Sequence, residues 1–147
     1  MIDEMKVIFL DIDGVMITTN SPIGRFDPVC VKNLKQIMDR TGAYIVVSST
    51  YRSLGFVRLK ELFAANGITK GLIGVTPVIQ YGIRGEEIKQ YIEEASLDPS
   101  STIDRFVIID DNDNMGELRP YLIQTNGKIG LDERIRDKVI EFLMNMN

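Results

Sequence analysis

The sequence predicts an α/β protein in three layers, with a central parallel sheet between helices, and two observations carry the prediction. Short continuous apolar runs, Val7-Ile8-Phe9-Leu10, Tyr44-Ile45-Val46-Val47 and Phe106-Val107-Ile108-Ile109, read as strands buried on both faces. Between them lie segments whose apolar residues recur at helical spacing. Strands that alternate with helices in this way need right-handed crossovers, which cover both faces of the sheet.

The first run leads straight into Asp11 and reads as a central strand. Asp27-Pro28 then supplies an N-cap and a proline suited to the first helical position, and Val31, Leu34, Ile37 and Met38 continue a helix that stops at Gly42. The second strand, Tyr44–Val47, ends in Ser48-Ser49-Thr50, and Leu54, Val57, Leu59, Leu62 and Phe63 mark the apolar side of a second helix closed by Asn66-Gly67. A short strand around Leu72–Val75 precedes a third helix from Gly85, with Ile88, Tyr91, Ile92 and Ala95 on its buried face. Phe106–Ile109 is the fourth strand and ends in Asp110-Asp111. A weaker fifth strand at Tyr121–Gln124 comes before a last helix from about Asp132, with Ile135, Val139, Phe142 and Leu143 on its apolar side. The tail Met144-Asn145-Met146-Asn147 is expected to fray.

A chain of 147 residues with 44% hydrophobic content is expected to form one domain over residues 1–147, and no stretch has the composition of a linker or repeat. No run approaches the ~20 apolar residues needed to cross a bilayer, and the segment MIDEMK is acidic where a secretory signal is basic. A soluble, cytoplasmic protein with no membrane partner is expected. Cys30 is the one cysteine and the chain has no His, which removes internal disulfides and Cys/His zinc sites. The same absence removes Ser-His-Asp and Cys-His nucleophile systems, so any catalysis must run on carboxylates, hydroxyls and cations. A formal charge of −4 argues against a broad basic surface for duplex nucleic acid, while leaving room for a local basic pocket.

In parallel sheets ligands bind beyond the carboxyl ends of the strands, and here that edge collects the reactive residues. Asp11-Ile12-Asp13-Gly14 puts two carboxylates two residues apart where the chain leaves the first strand, and such charges repel unless a cation balances them. Asp110 and Asp111 occupy the same end of the fourth strand. On its own Asp110-Asp111-Asn112-Asp113 reads as a polar turn; with Asp11 and Asp13 it completes four carboxylates that suit a hard cation such as Mg2+. Ser48, Ser49 and Thr50 can donate hydrogen bonds to a phosphoryl group or serve as helix caps, and Arg52 adds a fork-shaped cation suited to phosphate. Arg84 and Lys89, at or near the start of the third helix, are alternative cations for balancing charge at the site.

These motifs, in this order and each on the expected element, resemble those of the haloacid dehalogenase-like (HAD) phosphohydrolases along nearly the whole chain. Asp11-Ile12-Asp13-Gly14-Val15 resembles the first motif, Val46-Val47-Ser48 the second, Arg84 or Lys89 the third, and Val107-Ile108-Ile109-Asp110-Asp111 the fourth. The third motif usually carries Lys, whereas Arg84 occupies the better-placed position here. Within the superfamily, Ser48-Ser49-Thr50-Tyr51-Arg52 and Arg84-Gly85-Glu86-Glu87-Ile88 look most like the small phosphatase domains of RNA-repair proteins.

The resemblance implies a Rossmann-like αβα fold and a phosphatase in which Asp11 attacks phosphorus, Asp13 serves as general acid and then general base, and Ser48 contacts the phosphoryl group. It also implies Mg2+ held by Asp11, the main-chain carbonyl of Asp13, Asp111 and Asp110. Relatives often carry a cap domain; the segments between Val15 and Asp27 and between Gly74 and Glu86 are too short for one. An open site favours a protruding phosphoester, such as a nucleotide or nucleic-acid end, or a small substrate enclosed by a second subunit. Gly14, Ser49, Thr50, Arg52 and Arg25 are the expected substrate contacts. The competing expectations are a non-catalytic module of the same fold that binds phosphate or a protein, and a phosphotransferase.

Overall fold

The computed structural model describes residues 4–145; the acidic segment at residues 1–3 and the tail residues 146–147 lie outside the described residues. Five parallel strands form one sheet: β1 (Lys6–Leu10), β2 (Tyr44–Val47), β3 (Leu72–Val75), β4 (Arg105–Asp110) and β5 (Leu122–Gln124), in the order β3-β2-β1-β4-β5. Four helices connect or follow them: α1 (Pro28–Thr41), α2 (Phe56–Ala65), α3 (Arg84–Ala95) and α4 (Glu133–Met144). The architecture is the Rossmann-like three-layer fold expected, with no cap domain among the described residues.

Period-two alternation in the strands builds two separate cores. Ile8, Leu10, Ile45, Val47, Val107 and Ile109 face α1, α2 and α4, while Val7, Phe9, Val46 and Ile108 face α3. Phe9 meets Tyr91 of α3 edge-to-face with ring centroids 5.8 Å apart. Because strands inside such a sheet touch helices on both faces, nearly every position in them is apolar, which is why β1, β2 and β4 read as unbroken runs.

The helix boundaries follow their caps. Asp27 accepts a hydrogen bond from the Val29 N–H before Pro28 starts α1, and Gly42 ends it in the left-handed conformation at φ 72°. Asp132 caps α4 by accepting from the Ile135 N–H. Two expectations about helix faces fail. Leu54 lies not in α2 but in a short 3-10 helix, Thr50–Leu54, and Val57 of α2 is 69% exposed, so only Leu59 and Phe63 bury fully there. Phe142 also turns partly to solvent, reaching Tyr121 edge-to-face, while Ile135, Val139 and Leu143 fill the core. Among the described residues, no helix is long and apolar enough to cross a membrane.

Candidate active site

Strand register assembles the site. Phe9 of β1 pairs with Val46 of β2 and with Ile108 of β4, and all three face α3. Two residues further along each strand, at the carboxyl edge and on the same alternation, stand Asp11, Ser48 and Asp110. The Asp11 N–H donates to the Ile109 carbonyl at 3.0 Å and the Ser48 N–H to the Leu10 carbonyl at 2.9 Å, so the ladder extends to these side chains. Strand order matters too: the chain leaves β1 towards β2 on one side and returns to β4 on the other, which makes the β1/β4 boundary the topological switch point of the sheet.

Asp11, Asp110 and Asp111 bring one carboxylate oxygen each to within 4.8 Å of one another. Asp11 is only 8% exposed and Asp110 3%. Burial pushes the Asp11 carboxyl above its ordinary value. Burial first, and the Asp11 charge second, push Asp110 up to about 8. The two carboxyls are hydrogen-bonded to each other. Arg84 opposes the shift on both. All the donors are carboxylate oxygens, a set that suits Mg2+ rather than a softer ion.

The turn after β1 is tightly wound. Val15, Met16 and Ile17 all donate to the Ile12 carbonyl, and the Gly14 N–H returns to the Ile17 carbonyl at 2.9 Å. The Asp13 side chain is exposed and outside the three-carboxylate group, close enough to Tyr51 for its charge to help burial raise the Tyr51 phenol. Gly14 sits at φ 81° against Asp111, and its carbonyl accepts from Thr125 Oγ1 at 2.7 Å, which ties the turn to the end of β5.

The remaining expected residues separate into groups. Ser48 Oγ is buried with no hydrogen-bond partner. Ser49 is buried, and its hydroxyl caps the 3-10 helix by accepting from the Tyr51 N–H, while Thr50 is exposed. Arg52 is ion-paired with Glu87 at 2.9 Å. Of the two alternatives on α3, Arg84 acts on Asp11 and Asp110, whereas Lys89 is half exposed and pairs with Glu117 at 2.5 Å. Five residues along a helix is about 140° around it, so the two cations face different ways. Arg25 is exposed in a depression beside Pro22, Phe26 and Asn66, a lining that includes none of the site carboxylates.

Three contributors escaped the sequence reading. Glu87 pairs with both Arg52 and Arg84. Thr125 fastens the Gly14 carbonyl, and Gly127 makes room for Asp111. A Glu three positions after Arg84 was a visible signal for the first; the other two depend on how β5 lies beside β4. A cavity of about 440 Å3 lined by Met5, Ile73, Tyr91 and Ile103 lies at the amino ends of the strands, away from the carboxylates.

A parallel sheet in this order, with aspartates after its two adjoining central strands, defines a domain of the haloacid dehalogenase-like type, a class of hydrolases and phosphatases. Residues 7–135 match the model of the family described as HAD domain in Swiss Army Knife RNA repair proteins, and the chain belongs to that family. No curated protein matches it.

Proposed function

We propose that the chain is a Mg2+-dependent phosphomonoesterase working through an aspartyl-phosphate on Asp11, with a nucleotide or nucleic-acid terminal phosphate as substrate. The observation that carries this reading is the convergence of Asp11, Asp110 and Asp111 within 4.8 Å, with Arg84 acting on the first two. Asp11, Asp110, Asp111 and the Asp13 carbonyl would hold Mg2+, which would offset their repulsion and let an anionic nucleophile meet an anionic substrate.

In the first step a carboxylate oxygen of Asp11 forms a bond to phosphorus as the ester P–O bond breaks, and the leaving oxygen takes a proton from Asp13. In the second, Asp13 removes a proton from water, whose oxygen attacks phosphorus and releases inorganic phosphate and the Asp11 carboxylate. Exposure of Asp13 suits a group that exchanges protons with water, while burial of Asp11 strips water from the nucleophile. Ser48 Oγ has no other hydrogen-bond partner and suits a phosphoryl oxygen. The uncapped site and the family's occurrence in RNA-repair proteins favour a protruding nucleic-acid phosphate. A buried, unpaired Cys30 agrees with a reducing, cytoplasmic setting.

The test is Mg2+-dependent phosphate release from an aryl phosphate, mononucleotides and 3′- or 5′-phosphorylated oligonucleotides, run beside Asp11→Asn. Release that disappears in Asp11→Asn is expected, and the preferred substrate identifies the end recognised. No release from any substrate, without Mg2+ binding, would point instead to a binding module; transfer to an added alcohol in place of water would point to a phosphotransferase.

A further inference from the structure

Glu87 is 5% exposed, and its carboxylate joins three segments of the chain. Oε2 accepts from Arg52 Nη2 at 2.9 Å and from the Ile79 N–H at 3.0 Å. Oε1 faces Arg84 Nη1 at 3.8 Å, beyond hydrogen-bonding distance. Arg52 belongs to the 3-10 helix after β2 and Arg84 opens α3, so one buried carboxylate ties two guanidinium groups from separate elements. Both arginine side chains are nearly covered, at 11% and 15% exposure.

Each arginine nevertheless keeps its Nη1 buried with no hydrogen-bond partner, and Ser48 Oγ is in the same condition. Buried donors in native proteins are nearly always satisfied, and a charged one left over implies an acceptor from outside the chain. Around Glu87 two guanidinium groups share one carboxylate, and the Asp11 carboxyl is a further anion that acts on both. Burial holds the Arg52 guanidinium below its ordinary value; the Arg84 charge pushes the same way, and Glu87 and Asp11 pull against it. Asp11 therefore lies within electrostatic reach of both arginines. Planar guanidinium forks on a group beside a nucleophile suit a tetrahedral oxyanion.

We propose that Glu87 is a positioning residue that holds Arg52 and Arg84 as a paired clamp, whose two unpartnered Nη1 atoms and Ser48 Oγ bind the non-bridging oxygens of a terminal phosphate. A phosphomonoester offers three such oxygens and a charge of about −1.5 to −2, whereas an internal diester offers two and a single charge. The clamp thus selects a terminal phosphate over an internal linkage. The inference rests on the phosphatase reading for its substrate; binding of the anion can be read without turnover.

The experiment titrates inorganic phosphate into the full chain with Mg2+ present, followed by calorimetry and by the arginine side-chain N–H resonances. The Arg52 and Arg84 signals are expected to move together, and Glu87→Gln is expected to weaken phosphate about tenfold, the scale of one charged hydrogen bond. In an Arg52→Ala background the same Glu87→Gln change should cost less, because part of its effect runs through Arg52. Unmoved arginine signals, or wild-type affinity in folded Glu87→Gln, would overturn the proposal. If Glu87→Gln does not fold, Arg52→Lys decides: it keeps the charge and loses the fork, so about tenfold weaker binding supports the clamp and wild-type binding overturns it. Phosphate binding without catalysis would sink the phosphatase reading and leave the clamp standing.

Discussion

The carboxylate of Asp111 lies directly over the backbone of Gly14: a Cβ on that glycine would fall 2.3 Å from Asp111 Oδ2. On the other side a Cβ on Gly127 would come within 2.8 Å of the same oxygen, so the acid sits between two bare backbones. Gly14→Ala would force Asp111 aside and also place a side chain at φ 81°, where the strain costs about 1–2 kcal/mol. The expected outcome is at least tenfold weaker Mg2+ binding by calorimetry, with only a modest fall in thermal stability.

The buried Asp11–Asp110 pair makes the metal-free protein sensitive to pH. Asp110 is raised from 3.8 to about 8, so between these values the folded state holds a proton that the unfolded state has released. The contribution of Asp110 to the stability of the metal-free protein should therefore be fullest below about pH 4, fall as pH rises, and level off above about pH 8. Urea midpoints measured across this window in the presence of a chelator test the sign, and added Mg2+ should flatten the slope.

Holding that proton costs stability, so Asp110→Asn, which needs none, should separate stability from function. Without metal at neutral pH the variant should gain about 1–2 kcal/mol, as happens when a strained site is relieved, while Mg2+ binding is lost. Denaturation and calorimetry on one preparation give both numbers.

Arg84 and Lys89 should differ sharply. Arg84→Ala removes the cation that acts on Asp11 and Asp110, and phosphate release should fall about 10²–10³-fold. Lys89→Ala removes half-exposed charge paired with Glu117, and release should stay within about twofold of wild type.

Gly85, the second residue of α3, lets the loop after β4 lie directly against the helix. A Cβ there would meet the Met115 carbonyl oxygen at 1.9 Å, and the Gly85 N–H donates to the Asn114 carbonyl at 3.2 Å. Gly85→Ala should destabilise the fold by about 1–3 kcal/mol through overpacking. Because the loop after β4 must move with it, phosphate release should fall further than stability does; urea melts beside kinetics separate the two.

Much of this was legible in the sequence for a physical reason. Strands covered on both faces have no polar positions to interrupt them, so Val7–Leu10 and Phe106–Ile109 announced themselves, and with them the aspartates that follow. A cap such as Asp27 acts through adjacent backbone and was equally visible. Val57 and Phe142 misled because helical spacing tells which residues share a side, not how far the covering layer reaches. Glu87 was seen only as part of a motif, since its partners at Arg52 and Ile79 come from other segments. Thr125 and Gly127 acquire their roles only once β5 is laid beside β4. That Arg84 and Lys89 face different ways likewise became visible only with α3 in place.

The strand order carries one more consequence, for a chain still being made. Asp11 follows the first strand and Asp110 and Asp111 lie on and after the fourth, although β1 and β4 are immediate neighbours in the sheet. A ribosome will have delivered Asp11, Ser48, Arg52 and Arg84 well before Asp110 emerges, and β1 must wait, one edge unpaired, for its last neighbour. Until β4 docks, Asp11 stands without the other two carboxylates of its cluster. Completion of the sheet and assembly of the carboxylate cluster are then the same event, so a product terminated before β4 lacks the cluster.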